Sequence, residues 1–262
     1  MTSPLEARKL DPSQRNGSAS RSASVILPRA CVIVPAYQAA KSLEAVLLDL
    51  ERALPEVTAR IVIDDGSSDG TGEVAAKTGA HVVSHGQNRG KGAALLTGLA
   101  TARSLGFAVA LSVDADGQHP GASARETMLA SEDPRALVLG IRNLVREGAP
   151  RANQASNAIS NYFVSLFAGK RINDTQCGLR RYPVQETLAL GGRSSGFGFE
   201  AEVLLRAVDA GMRIVEREVK VVYPPEHERV THFHKVRDPA RIIGVVVSTV
   251  HDLGMRGRSK RT

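Results

Sequence analysis

Four acidic side chains come directly after apolar, β-branched runs, where the strands of a parallel sheet would end. Asp64 and Asp65 stand in IVIDDGSSDGT, and Asp114 and Asp116 stand in ALSVDADGQHP. Carboxylate oxygens are the ligands that Mg²⁺ and Mn²⁺ prefer, so an Asp-x-Asp step after a strand could hold such an ion against a diphosphate. Gln118 could add a neutral oxygen. For an isolated Asp-x-Asp the alternative is that the aspartates start a turn or cap a helix, so the surrounding sequence must decide.

The turns beside the first acidic pair could contact a nucleoside. Pro35 and Tyr37 follow the first apolar run, which would place an aromatic ring at the end of a strand, near a base. Asp64 and Asp65 begin a tight Gly-Ser-Ser turn and could accept hydrogen bonds from a base NH or a ribose hydroxyl.

The segment HGQNRGKG at 85–92 is similar to a phosphate-binding P-loop but differs at two points. It has too few residues between its first two glycines, and Gly92 stands where Ser or Thr is required. We therefore predict a turn before a helix, from which Arg89 and Lys91 reach an anionic nucleotide. No G-x-G-x-x-G follows the first apolar run, which argues against NAD.

The elements that must position these residues alternate in type along the first half of the chain. Short β-branched runs predict strands buried on both faces, at 31–35, 60–64, 81–84, 108–113 and 136–140. Helical patterns lie between them, near 41–54, 69–78, 91–105 and 121–131. Short connections favour right-handed βαβ crossovers, so we predict an α/β, Rossmann-like fold with a mainly parallel sheet flanked by helices.

After residue 141 the pattern changes to elements that would cover the open end of the sheet. We predict a long helix near 151–168, a loop at 172–183, a helix near 198–210 and an edge strand within RIVEREVKVVYPP. A last helix near 239–253 is too short to cross a bilayer, and we expect it to pack on the domain. Contact with a membrane interface is the alternative.

Composition limits the class of protein. Apolar residues make up 42% of the 262, which fits one large domain at 30–254, with a nucleotide-binding half at 30–140 and an acceptor half at 141–254. Residues 1–29 are expected to be a disordered tail and 255–262 a basic tail. The net charge of +7 indicates an anionic partner, but without Trp or a binding motif we expect no nucleic acid. Two Cys without ligand spacing fit a reducing, cytoplasmic setting.

Four motifs in this order resemble glycosyltransferase family 2, and within it the dolichol- or polyprenyl-phosphate mannose synthase branch. They are VPAY at 34–37, IDDGSSDGT at 63–71, NRGKG at 88–92 and DADGQH at 114–119, and the resemblance covers roughly 30–237. It implies a GT-A fold and transfer of a sugar from a nucleoside diphosphate sugar, usually with inversion. It also implies that Pro35, Tyr37 and Asp65 hold the nucleoside with Lys91 nearby.

The resemblance further assigns the metal and acceptor residues. Asp114, Asp116 and Gln118 would meet Mg²⁺ or Mn²⁺, which neutralises charge on the leaving diphosphate. The candidates for binding an acceptor phosphate are Arg142, Arg151, Arg229 and Lys235. For Asp174, in DTQCGLR, three roles stay open: general base, orienter of an arginine, or structural residue. A phosphate acceptor is already ionised and needs no base, whereas a hydroxyl acceptor does.

Two departures from the family pattern affect the acceptor and donor sites. The chain has Gln38-Ala39 where the family often has Asn-Glu, so any nucleoside contact from that Glu is missing. It also has HERVTHFHKVRDPAR, from 227 to 241, where the polyprenyl synthases carry Arg-x-x-Gly-x-Ser-Lys. The loop remains cationic, but it does not define the acceptor.

We therefore predict a metal-dependent, inverting glycosyltransferase that moves a sugar from a GDP- or UDP-sugar to a lipid-linked acceptor, polyprenyl phosphate above all. Asp116 and Asp174 are the candidate catalytic residues. The expected setting is cytoplasmic, with peripheral contact at the inner face of the plasma membrane. One alternative is transfer to a hydroxyl of a lipid, polyene or glycan with Asp174 as base, and another is a non-catalytic nucleotide-sugar-binding protein.

Overall fold

The computed structural model of the chain describes residues 29–149, 151–223 and 237–259. Residues 1–28, Arg229 and Lys235 lie outside the described residues, so the predictions made for them stay predictions. Within the described residues, no helix combines the length and the apolar character that crossing a bilayer requires.

A seven-stranded sheet forms the centre of the molecule, in the order β3-β2-β1-β4-β6-β5-β7. All strands run parallel except β6, which pairs antiparallel with β4 and with β5. The strands are β1 Ala30–Ala36, β2 Ala59–Asp64, β3 His81–Ser84, β4 Val109–Ser112, β5 Leu137–Arg142, β6 Arg180–Pro183 and β7 Ile214–Val219. The predicted α/β fold with a mainly parallel sheet is confirmed.

Helices connect the strands and cover both faces of the sheet. They are α1 Ala40–Ala53, α2 Thr71–Lys77, α3 Lys91–Ser104, α4 Gly121–Leu129, α5 Arg151–Ala168, α6 Val184–Ala189, α7 Phe199–Asp209 and α8 Arg237–Ser259. Two apolar clusters result because the central strands alternate side chains between the faces. One contains Ile33 and Ile63 with α3, α7 and α8, and the other contains Val34 and Val62 with α1 and α4.

The topology gathers the candidate residues at one edge of the sheet. The carboxyl ends of parallel strands lie at the same edge, where ligands bind in open α/β sheets. Here β1 ends at Ala36, β2 at Asp64, β4 at Ser112 and β5 at Arg142. The ends of these strands and the loops that follow them therefore carry several of the predicted residues to one side of the molecule: Tyr37, Asp64, Asp65, Asp114, Asp116 and Arg142.

Two elements were not predicted. Strand β6 and helix α6 lie where the sequence indicated only a loop at 172–183 and its continuation. Helix α8 is longer than the predicted 239–253, and it packs on the domain through Ile242 and Val246, which are 2% and 1% exposed. The expectation that the last helix packs on the domain is thus confirmed.

Candidate active site

The two aspartates of the Asp-x-Asp step lie just beyond the end of β4 and reach the surface. The Asp114 side chain is 25% exposed, and Asp116 is exposed. The Gln118 backbone N–H donates to Asp116 Oδ1 at 3.0 Å. Gly178 lies against Asp114 so closely that a Cβ at this position would overlap both carboxylate oxygens. The absence of a side chain at Gly178 is therefore what leaves room for the Asp114 carboxylate.

Lys91, the first residue of α3, bridges two carboxylates. Its Nζ lies 2.7 Å from Asp114 Oδ1 and 2.9 Å from Glu200 Oε1. Burial opposes the charge on Lys91, but the attraction of Asp114 and then of Glu200 outweighs it and raises the lysine pKa. Burial likewise opposes the charge on Asp114, yet the nearby ammonium lowers the pKa of that carboxyl. Lys91 and Asp114 are therefore both charged in the folded protein.

Asp116 differs from Asp114 because, within the part of the chain that the structure describes, it forms no ion pair with a cation. Limited solvation, and then repulsion from Asp114, raise the Asp116 pKa to about 6, although the residue keeps an exposed surface. This excess negative charge, on hard oxygen donors, fits a divalent cation. Among the described residues, no group of three or more His, Cys, Asp or Glu could hold a metal by itself. Asp114, Asp116 and Gln118 would thus supply only part of the coordination, and the rest would come from a bound ligand or water.

The Asp65 carboxylate makes its hydrogen bonds within the protein. It is 3% exposed, its Oδ1 and Oδ2 accept the backbone N–H groups of Arg89 and Gly90 at 2.9 and 2.7 Å, and Oδ1 lies 2.6 Å from His85 Nδ1. His85 Nε2 in turn lies 3.0 Å from Thr97 Oγ1 on α3. The arrangement makes Asp65 the residue that holds the 85–90 loop, and with it the start of α3. This role was not visible in the sequence.

The loops after β1 and β2 are joined to each other beside Tyr37. The Gln38 backbone N–H donates to Ser67 Oγ at 2.9 Å, and its amide Nε2 donates to Ser68 Oγ at 3.0 Å. Asp64 Oδ1 accepts the Ser67 N–H at 3.0 Å. Tyr37 and Pro35 are half-buried at this junction. An open cleft of about 490 Å³ next to it is lined in part by Asp64, Ser67 and Gly72, so one of the predicted nucleoside residues, Asp64, borders a space that can receive a ligand.

Arg142 and Asp174 form a bidentate pair at the end of β5. Arg142 Nε donates to Asp174 Oδ2 at 2.7 Å and Nη2 donates to Oδ1 at 2.9 Å, while the Arg142 backbone N–H adds a third bond at 3.1 Å. The N–H groups of Gln176 and Cys177 donate to the same carboxylate, both at 3.1 Å. Asp174 is 0% exposed, and although burial opposes its charge, Arg142 lowers its pKa.

This geometry distinguishes the roles that the sequence left open for Asp174. A general base must present a lone pair to a substrate proton and have a pKa near the working pH. Asp174 has no exposed surface, accepts five hydrogen bonds and has a lowered pKa. These properties match a residue that orients Arg142. The Arg142 side chain is 15% exposed, so it is not wholly enclosed by its contacts with Asp174.

Of the other residues proposed to bind the acceptor phosphate, the structure describes only Arg151. Arg151 is the first residue of α5 and is exposed. Arg142 is near enough to Asp114 and Asp116 to affect the pKa values of both. The structure therefore joins the metal candidates, Lys91 and Arg142 in one electrostatic site, with Arg151 exposed at the start of α5.

Three residues of the site were missed by sequence reasoning. Glu200 stands in the first turn of α7, a helix that we expected only to cover the sheet. His85 was treated as part of a flexible turn, and Gly178 as a member of a loop motif. One signal for Glu200 was available, because a charged residue within the otherwise apolar GFGFEA needs a buried partner.

Comparison with known proteins connects this site to a family. The model of "Glycosyl transferase family 2" matches residues 31–187. Polyprenol monophosphomannose synthase of Mycolicibacterium smegmatis is 29% identical over 220 residues, covering 78% of this chain and 82% of that protein. Dolichyl-phosphate hexose transferase of Haloferax volcanii is 30% identical over 189 residues, covering 71% and 79%.

Solved structures share the fold. Glucosyl-3-phosphoglycerate synthase from Mycobacterium tuberculosis, in complex with Mn²⁺, uridine-diphosphate-glucose and phosphoglyceric acid, superposes with a TM-score of 0.66 at 19% identity. The match covers 86% of this chain and 80% of that one. Because such neighbours are GT-A glycosyltransferases, the predicted GT-A fold is confirmed.

Proposed function

The chain belongs to glycosyl transferase family 2, and from that premise we propose that it moves a sugar from a nucleoside diphosphate sugar to the phosphate of a polyprenyl-type lipid. That the chain is a glycosyltransferase follows from the family, so the non-catalytic alternative is wrong. Its relatives are named for transfer to polyprenol and dolichyl phosphates. What we propose beyond family membership is the identity of the donor and the acceptor and the inversion of the anomeric configuration.

The observation that carries the proposed acceptor is the pair of Arg142 and Asp174. An arginine whose side chain is partly exposed and whose guanidinium is held in a fixed plane is suited to bidentate binding of phosphate oxygens. Asp174 holds that plane, and its buried, fully bonded carboxylate is unsuited to removing a proton. A phosphate needs no base, so the site has what a phosphate acceptor requires. Transfer to a hydroxyl with Asp174 as base is disfavoured by the same contacts.

On the donor side, Asp114, Asp116 and Gln118 would hold a divalent cation. When bound, that ion supplies Lewis-acid stabilisation of the negative charge on the departing diphosphate. Lys91 lies beside Asp114 and carries a permanent positive charge close to the same place. Manganese in the structural neighbour from Mycobacterium tuberculosis is consistent with such a site.

The reaction follows from these positions. A phosphate oxygen, held by Arg142, attacks the anomeric carbon of the donor sugar and forms the new C–O bond. The bond from that carbon to the diphosphate breaks, and both of its electrons leave with the nucleoside diphosphate. Attack from the face opposite the leaving group inverts the anomeric configuration. No proton has to be transferred, which agrees with the lack of an accessible base at Asp174.

We place the membrane contact on the outer face of α5. Ile159, Tyr162, Leu166 and Phe167 recur at helical spacing and are 45%, 65%, 59% and 43% exposed. Lys170 and Arg171, which are exposed, follow the end of the helix. Apolar residues beside basic ones are typical of a helix lying in the interface of an anionic membrane. The last helix, where the sequence put the alternative membrane contact, instead packs against α7 and α5.

A comparison of two matched acceptors tests the proposal. Purified protein would be given GDP- and UDP-sugars with Mn²⁺, and either a polyprenyl phosphate or the polyprenol of the same length. We expect a sugar phospholipid from the phosphate and no product from the alcohol. Transfer to the alcohol at a similar rate would contradict the proposed acceptor, because it would require a base that the site does not offer.

A further inference from the structure

Glu200 has no role in the proposed chemistry, although its side chain is part of the site. It is 3% exposed, lies in the first turn of α7, and pairs with Lys91 at 2.9 Å. Lys91 is therefore shared between Glu200 and the predicted metal ligand Asp114. A single ammonium thus faces two carboxylates that belong to different elements, the β4 end and α7.

The backbone around Glu200 keeps its carboxylate in place. Arg180 Nη1 donates to the Glu200 carbonyl at 2.8 Å, and Phe199 next to it is 0% exposed. The start of α3 is bonded to the segment that leads into α7, since the Ala93 N–H donates to Ser195 O at 3.0 Å. Lys91 therefore extends from a helix that is bonded to the segment directly before the helix of Glu200. Neither of these contacts involves Asp114.

A conflict over Asp114 follows from these contacts. The oxygen that Lys91 now contacts belongs to a carboxylate that a divalent cation would also need. A cation at Asp114 repels the ammonium, and a largely buried ammonium without a counter-ion is strongly unfavourable. Lys91 can give up Asp114 at low cost only if a second carboxylate stays within reach. Glu200 is that carboxylate.

We propose that Glu200 is a positioning residue that retains Lys91 when Asp114 turns to a divalent cation, and so allows the cation and the ammonium to occupy the site together. The inference rests on the proposed function in one respect, the cation at Asp114 and Asp116. The divalent cation and the Lys91 ammonium, which Glu200 holds, would then both be available to the donor diphosphate. Without Glu200, Lys91 stays on Asp114 and competes with the metal.

Manganese binding to the protein alone tests this inference, without any turnover. Free Mn²⁺ would be measured by electron paramagnetic resonance during titration of the wild type, Glu200→Gln, Lys91→Gln and the double variant. We expect Glu200→Gln to weaken Mn²⁺ binding about tenfold or more, the scale of a close charge pair. We expect Lys91→Gln to bind at least as tightly as the wild type, and the double variant to behave like Lys91→Gln.

The double variant separates this mechanism from simple attraction of Mn²⁺ by a negative charge. If Glu200 acted only through its charge, its loss would weaken binding equally with and without Lys91, and that result would overturn the proposal. Glu202→Gln is the matched control, because Glu202 is equally buried on the same helix but pairs with Arg206. Its Mn²⁺ affinity should equal that of the wild type, and circular dichroism would confirm that each variant is folded.

Two further outcomes distinguish failure of the proposed role of Glu200 from failure of the proposed metal site. Unchanged or tighter Mn²⁺ binding in Glu200→Gln, with normal binding by the wild type, overturns the role of Glu200 and leaves the proposed function intact. A folded wild type that binds no Mn²⁺, alone or with a nucleoside diphosphate, overturns the metal site and with it this inference.

Discussion

At the scale of single residues, the site is governed by which charges are balanced and which are not. Asp114 and Asp174 each face a cation at hydrogen-bond distance, whereas Asp116 faces none among the described residues. The first two carboxylates are thereby kept ionised, and the third retains a charge that a bound cation can balance. This difference among three aspartates could not be deduced from the sequence, because Lys91 and Arg142 are distant from their partners along the chain.

The role of Asp174 can be tested by steady-state kinetics. Asp174→Asn removes the charge that fixes Arg142, and breaking such a buried pair costs about 3–5 kcal/mol of stability. We expect the KM for the acceptor to rise about tenfold or more, with a smaller change in kcat, because the phosphate loses an oriented partner. Arg142→Lys, which loses the bidentate geometry, should give the same pattern.

A general base would behave differently. Its loss lowers kcat on the order of 10²–10⁴. A large fall in kcat in Asp174→Asn, together with an unchanged acceptor KM and a normal Arg142→Lys variant, would show that Asp174 acts on a proton and would reject the phosphate acceptor.

The unbalanced charge of Asp116 predicts a pH-dependent stability. A carboxyl whose pKa rises from 3.8 to about 6 on folding binds its proton more tightly in the folded state. Its ionised form therefore reduces stability above about pH 6, and this loss disappears as the pH falls toward 4. In metal-free buffer, Asp116→Asn should be more stable than the wild type at pH 7.5, and the difference should shrink through pH 6. Urea unfolding at several pH values measures it, and a constant difference would contradict the assignment.

At the scale of elements, the strands predicted from β-branched runs all form in the sheet. The prediction that each is buried on both faces is wrong for β3, which lies at the edge of the sheet and has exposed residues at both ends. Strand β6 escaped prediction since Arg-Arg-Tyr-Pro shows no apolar pattern. It is a strand because β4 and β5 pair with it, and its arginines are buried by bonds to backbone carbonyls, such as Arg181 Nη1 to Met128 O at 3.0 Å. Long-range pairing of this kind is not encoded in local sequence.

The exposed apolar face of helix α5 is predicted to bind anionic membranes, and a substitution in it tests this. Leu166→Asp places a charge in the exposed apolar face, which should weaken binding to vesicles of anionic lipid by an order of magnitude or so because an apolar contact is replaced by a charge that anionic lipid repels. Leu48→Asp on α1 is the control, since Leu48 is 43% exposed but lies on another helix. Vesicle co-sedimentation measures both. Equal loss of binding in the two variants would show that α5 is not the membrane-contacting face.

At the scale of the whole molecule, the order and direction of the strands bring the family-like motifs together in space. Residues from β1, β2, β4 and β5, more than a hundred positions apart at the extremes, reach one edge of the sheet because these strands are parallel. Motif order along the chain therefore predicted the fold, and the sequence predicted that the carboxylates would gather where adjacent strands end. It did not predict Glu200 or the His85–Asp65 contact, which depend on how α3 and α7 pack.

The proposed function depends above all on donor binding through a divalent cation held by Asp114 and Asp116. Thermal unfolding of the wild type and of Asp116→Ala, with GDP- and UDP-sugars in the presence and absence of Mn²⁺, tests it most directly, because a ligand of the folded state raises the Tm by mass action. We predict that a nucleotide sugar raises the Tm of the wild type only when Mn²⁺ is present, and that Asp116→Ala folds but shows no such rise. Stabilisation that does not need Mn²⁺, or that persists in Asp116→Ala, would contradict the account.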